Sequence, residues 1–160
     1  MRLSRHRDGL FLSNMKIKVK HTSQIERYAE GFSCLSSFLL SVKPQASDTE
    51  RLEETGKGEM MGVSPLSVTY RTEEGYPCAL SLADGCLSVR RGLTEMRFEK
   101  GRTTSFLYRT GYGEIETEVF TDALSLTERD GRWLLALSYY ARMGDVIQKN
   151  TMRFLLTPIA

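Results

Sequence analysis

A chain of 160 residues with 41% hydrophobic and 26% charged side chains has the size and balance of one globular domain, able to bury a core without disulfides or metals. Its formal net charge is +2, but six basic residues face Asp8 alone in residues 1–20; the remainder is net negative and does not suit wrapping nucleic acid. No run reaches the ~18 apolar residues that span a bilayer, and Gly9–Leu12 is too short for a secretory apolar region. The three cysteines, an odd number, do not make a disulfide framework, so the expected compartment is cytoplasmic.

Residues 1–14 show no periodicity and read as a flexible basic extension, or as the product of an upstream start with Met15 as the true first residue. From Met15, Ile17 and Val19 alternate with Lys16, Lys18 and Lys20, the pattern of a half-buried strand. One domain is expected over 15–160, with an insertion at about 28–50. There Phe32, Leu35, Phe38, Leu39 and Val42 follow the spacing of a short amphipathic helix that Lys43-Pro44 would end, and Gln45–Glu50 reads as a loop. From Leu52 onward short alternating segments are punctuated by Glu74-Gly75, Asp84-Gly85, Asp130-Gly131 and Gly144-Asp145. Strands joined by tight turns run antiparallel, and a meander of about eight of them on one core makes a closed barrel or a sandwich.

The turns predict registers. Asp130-Gly131 as the central pair sets Leu126 opposite Leu135, Leu124 opposite Leu137 and Glu128 opposite Trp133, giving one apolar face. Asp84-Gly85 sets Leu80 against Val89, Leu82 against Leu87 and Cys78 against Arg91, while Cys86 meets Ala83. Cys78 and Cys86 then point to opposite faces and stay reduced. In Tyr108–Val119 two glycines one residue apart raise the question of a phosphate-cradling loop. A third glycine and a following helix are missing, so Gly111-Tyr112 reads as a type II′ turn pairing Tyr108 with Ile115, Phe106 with Thr117 and Arg109 with Glu114.

Chemistry-bearing patterns are sparse. His6 and His21 lack a partner at metal-ligand spacing, and there is no Gly-x-Ser-x-Gly elbow or phosphate-binding glycine loop, so no metal, cofactor or catalytic residue is assigned and the reading leans away from an enzyme. Glu114, Glu116 and Glu118 share one strand face as a solvated outer wall. Arg90 shares a face with Ser88 and Cys86. If that face lines a lumen, Arg90 is a buried cation for a carboxylate or phosphate; if the Leu87/Val89 face points inward, it is a surface arginine, and the surface reading is favoured. Tyr70, Tyr108, Thr117 and Trp133 complete the candidate lining, although large rings fill small barrels more often than they contact ligands.

Ser67–Gly75, Leu87–Gly92, Leu107–Glu118 and Leu135–Phe154, and above all Tyr108-x-Thr110-x-Tyr112-Gly113 followed by an alternating strand, resemble the YwiB-like family of small bacterial proteins of unknown function. Arg90 and Gly92 match its Arg-x-Gly after the hairpin. The resemblance implies a calycin-like, that is lipocalin-like, β-barrel and no established catalytic residues. Where the family often has proline, this chain has Gly111; proline cannot take positive φ, so the turn can instead be built with Gly113 as the left-handed residue. The expected molecule is therefore an all-β, single antiparallel closed barrel of about eight strands with a short N-terminal helical insertion. Its expected role is a non-enzymatic binder of a small, partly apolar or anionic ligand, as monomer or homodimer. The alternative is a filled barrel serving as a protein-interaction module.

Overall fold

The computed structural model describes residues 10–28, 35–40 and 48–159. Ten strands form one antiparallel sheet: β1 (Leu10–Tyr28), β2 (Asp48–Val63), β3 (Leu66–Thr72), β4 (Pro77–Ala83), β5 (Cys86–Arg91), β6 (Thr94–Glu99), β7 (Thr103–Thr110), β8 (Gly113–Arg129), β9 (Arg132–Met143) and β10 (Val146–Pro158). Their order is β6-β5-β4-β3-β2-β1-β10-β9-β8-β7. The sheet curls until its edges meet. Thr104 Oγ1 donates to the Arg97 carbonyl at 2.6 Å, the Arg109 N–H donates to Thr94 Oγ1 at 3.0 Å, and the Gly101 N–H donates to the Thr121 carbonyl at 2.7 Å. The result is a nearly closed barrel. No helix among the described residues is long and apolar enough to cross a membrane.

The count of about eight strands is corrected to ten. Each segment with an internal two-residue turn supplies parts of two strands, and β8 runs through a bulge between Thr121 and Ala123 that hides its continuity in the sequence. The aspartate-glycine registers match the expectation: Leu80 pairs with Val89, Cys78 with Arg91, Leu126 with Leu135 and Glu128 with Trp133. Asp84 and Gly85 (φ 53° and 74°) and Asp130 and Gly131 (φ 54° and 75°) both take the double left-handed geometry that suits the twist of a hairpin. At Gly111 the pairing also matches, but the turn type does not. Gly113, at φ 131°, holds the positive dihedral in place of Gly111, and Thr110 Oγ1 ties the turn by accepting from the Tyr112 N–H at 3.1 Å.

Alternation sends Ile17, Val19, Val68, Leu80, Leu87, Val89, Phe98, Trp133, Leu135, Phe154 and Leu156 into one buried core. A fully buried side chain of this kind contributes about 1.5–3 kcal/mol. The Leu87/Val89 face is thus the inner one. Gly56 and Gly58 also face inward, beneath Tyr70; a Cβ on Gly58 would lie 1.9 Å from the Thr69 carbonyl oxygen.

The region expected to be helical contains α1 (Leu35–Leu40), a six-residue helix. Leu35 and Phe38 are buried against Tyr28, Tyr140 and Ile147, with the Phe38 ring 5.0 Å from Tyr28 and 5.8 Å from Tyr140. Tyr140 points opposite to Tyr139, so this second cluster sits on the barrel's outer wall. Phe32 and Val42 lie outside the described residues. Asp48–Glu50, expected in a loop, opens β2, and β1 begins at Leu10, within the segment expected as an extension; residues 1–9 lie outside the described residues.

Candidate functional site

Inside the barrel, side-chain size divides the interior in two. One part is filled by the core just described. The other is a cavity of about 870 Å³ open at the end formed by the β3–β4, β5–β6 and β7–β8 turns. Its apolar wall includes Met96, Phe106, Ala141 and Met152, and its polar groups include Ser23, Thr94, Thr117, Tyr139, Gln148 and Asn150. Three arginines also reach it, and each is paired. Arg27 meets Asp48 at 3.0 Å and Glu50 at 2.7 Å, Arg109 meets Glu114 at 3.4 Å, and Arg91 holds Glu54 with both guanidinium nitrogens.

The Arg91–Glu54 pair spans the interior from β5 to β2. Burial pushes the Glu54 carboxyl up, but the hydrogen bonds and charge of Arg91, aided by His21, outweigh it and hold the group below its ordinary value. The hydrogen bond to Glu54 in turn raises Arg91, whose guanidinium also lies 5.1 Å from the centre of the Tyr76 ring. Beside them His21 stacks on Phe154, with centroids 4.2 Å apart, and its Nε2 lies 3.0 Å from Ser23 Oγ. His21 Nδ1 is 3.8 Å from Glu54 Oε1.

Ser23, His21 and Glu54 therefore stand in the order nucleophile, base, carboxylate. Burial pushes His21 down to about 4, with Arg91 lowering it further against the pull of Glu54. A general base works best with a pKa near the operating pH, and here both Glu54 oxygens are already engaged by Arg91. His21 is a neutral, weakly basic ring that orders Ser23.

A second polar chain runs along β10 and β9. Gln148 Nε2 donates to Asn150 Oδ1 at 3.1 Å, and Asn150 Nδ2 donates to the Tyr139 hydroxyl at 2.7 Å. Burial, opposed by that bond, pushes the Tyr139 phenol up to about 12.

Two of the five candidate lining residues, Tyr108 and Thr117, line this cavity. The other three do not. Arg90 is exposed on the outer wall with Ala79, Ser81 and Ser88, because the Leu87/Val89 face points inward, as the favoured surface reading had it. Tyr70 is buried over Gly56 and Gly58, its phenol raised first by burial and then by the neighbouring Cys78 thiol. Trp133 is 2% exposed in the packed core. Of these two neighbours it is Arg91 that faces the lumen, and its parity with Leu87 and Val89 was the available signal. Glu54 carried none, since charges occupy both parities of Glu50–Glu54. Cys78 and Cys86 are free and on opposite faces; Cys34 lies outside the described residues. Glu114 and Glu116 are exposed on the outer wall, and Glu118 accepts from the Leu35 N–H at 3.3 Å.

Residues 40–153 match the family described as a domain of unknown function (DUF1934). The chain belongs to this family. Among solved structures it is similar to the crystal structure of ywiB protein from Bacillus subtilis, at 16% identity over 92% of this chain and 94% of that one, with a TM-score of 0.60. That likeness establishes a shared fold across nearly the whole length of both chains. No curated protein matches the sequence. This DUF1934 member is thus a ten-stranded barrel of unknown function with one open end.

Proposed function

We propose that this DUF1934 protein is a calycin-like, non-enzymatic binder that holds a small, partly apolar molecule in the open end of its barrel, in the cytoplasm. The observation that carries the reading is the cavity: about 870 Å³, walled by methionines and aromatic rings, with a few convergent polar groups. Pockets for small molecules have this size and this composition. Among the described residues each arginine lining the cavity, Arg27, Arg91 and Arg109, is paired with a carboxylate, which favours the partly apolar ligand over the anionic one. The weak basicity of His21 supports holding rather than turnover. The free Cys78 and Cys86 thiols support a reducing compartment.

Native mass spectrometry of the purified protein, beside its denatured mass and an organic extract, tests this. The expected result is an adduct that leaves on denaturation and is missing from Ala141→Trp, which fills the cavity from β9. A bare native mass for the wild type, or an adduct equally present in Ala141→Trp, overturns the reading. A protein-docking module is the alternative; it draws on the rim, where Leu93 is 83% exposed and Tyr112 fully so, and the same spectrum distinguishes monomer from homodimer.

A further inference from the structure

Tyr139 is 4% exposed and lines the cavity, yet its hydroxyl is used only as an acceptor. The chain of amides explains why. Gln148 donates to the Asn150 oxygen, which leaves the Asn150 nitrogen facing Tyr139, and that nitrogen occupies a lone pair of the phenol oxygen. Among the described residues no acceptor takes the Tyr139 proton. A buried donor left unmet is costly, and this one lies on the wall of a cavity large enough to hold its partner. Tyr108, on β7, lines the same cavity, and the two hydroxyls form no hydrogen bond with each other.

We propose that the ligand carries a neutral carbonyl oxygen that accepts the Tyr139 proton, its apolar part lying against Met96, Phe106 and Met152. The ligand class is then a ketone, ester or amide rather than a hydrocarbon or an ammonium ion. An ammonium group, which only donates, would meet a donor where it needs an acceptor. A carboxylate would enter a wall whose arginines are already neutralised. The inference rests on the binding reading above and narrows it.

Two probes of nearly equal shape separate the ideas: acetophenone, with a carbonyl, and ethylbenzene, without one. Each is titrated into ¹⁵N-labelled full-length protein and followed by amide shifts around the cavity. Acetophenone is expected to bind about tenfold more tightly than ethylbenzene, the worth of one hydrogen bond in a desolvated site, and the gap is expected to close in Tyr139→Phe. Equal binding of the two probes to the wild type overturns the carbonyl assignment and leaves the binding reading standing. A gap that persists in Tyr139→Phe overturns the role of Tyr139. Shifts with neither probe overturn both the assignment and the reading beneath it. The wild-type comparison decides the ligand class even if Tyr139→Phe, which strands the Asn150 amide, does not fold.

Discussion

The filled and open parts of the barrel share the same strands and the same alternation, and differ only in what the inward positions carry. Along β9 the inner face reads Trp133, Leu135 and Leu137 at one end and Tyr139, Ala141 and Met143 at the other. Along β10 it reads Leu156 and Phe154, then Met152, Asn150 and Gln148. Branched and aromatic carbon gives way to flexible thioethers, a methyl and amides. Periodicity makes a wall, while side-chain volume and polarity decide whether the space behind it is core or site.

The largest expected effect tests that division directly. Phe154→Ala, at a fully buried position, should cost about 3–5 kcal/mol in urea unfolding, whereas Met143→Ala on the cavity wall should cost about 1 kcal/mol. Equal losses would mean that the open end is packed as tightly as the closed one. Next comes Gly58→Ala. Its Cβ would meet the Thr69 carbonyl and the Tyr70 backbone, which cannot yield as a flexible side chain would, so a loss of about 3 kcal/mol is expected in the same measurement.

A pH series probes the boundary between the two parts. The folded value of His21, about 4, lies below its ordinary 6.5, so the unfolded chain takes up the proton first. Its contribution is complete above about pH 6.5 and is lost as the pH falls toward 4, by about 2–3 kcal/mol in all. Glu54, also lowered, acts in the same direction: its contribution is lost as the pH falls through its folded value. His21→Gln should flatten the stability profile between about pH 6.5 and 4, measured by urea midpoints; an unchanged slope would remove His21 as its source. The smallest effects distinguish neighbouring residues. Arg91→Ala should cost about 1–2 kcal/mol, reduced by the partial exposure of the pair, and Arg90→Ala within about 0.5 kcal/mol with ligand binding unchanged. Thermal melts of the two variants side by side check this.

The wall was legible in the sequence because its determinants are local. Asp84-Gly85 and Asp130-Gly131 allow few turn geometries, and each turn carries its flanking leucines into register. The site was not, because it is assembled across the barrel. Glu54 and Arg91 are 37 residues apart and meet only when the sheet curls. Asn150 and Gln148 read as ordinary polar strand residues until β9 brings Tyr139 beside them. The strand count fell short because segments such as Cys78–Gly92, with Asp84-Gly85 inside, each supply two strands.

The junction of β6 and β7 bears on how the protein coexists with its neighbours. No ladder joins these strands among the described residues; hydroxyls of Thr94 and Thr104 bridge them instead. An unpaired strand edge recruits strands from other chains, and here the two edges face each other and shield one another from that templating. The same latch makes the junction the expected first point of unzipping. Deuterium uptake should therefore begin along Thr94–Glu99 and Thr103–Thr110 and reach β1 and β10 last.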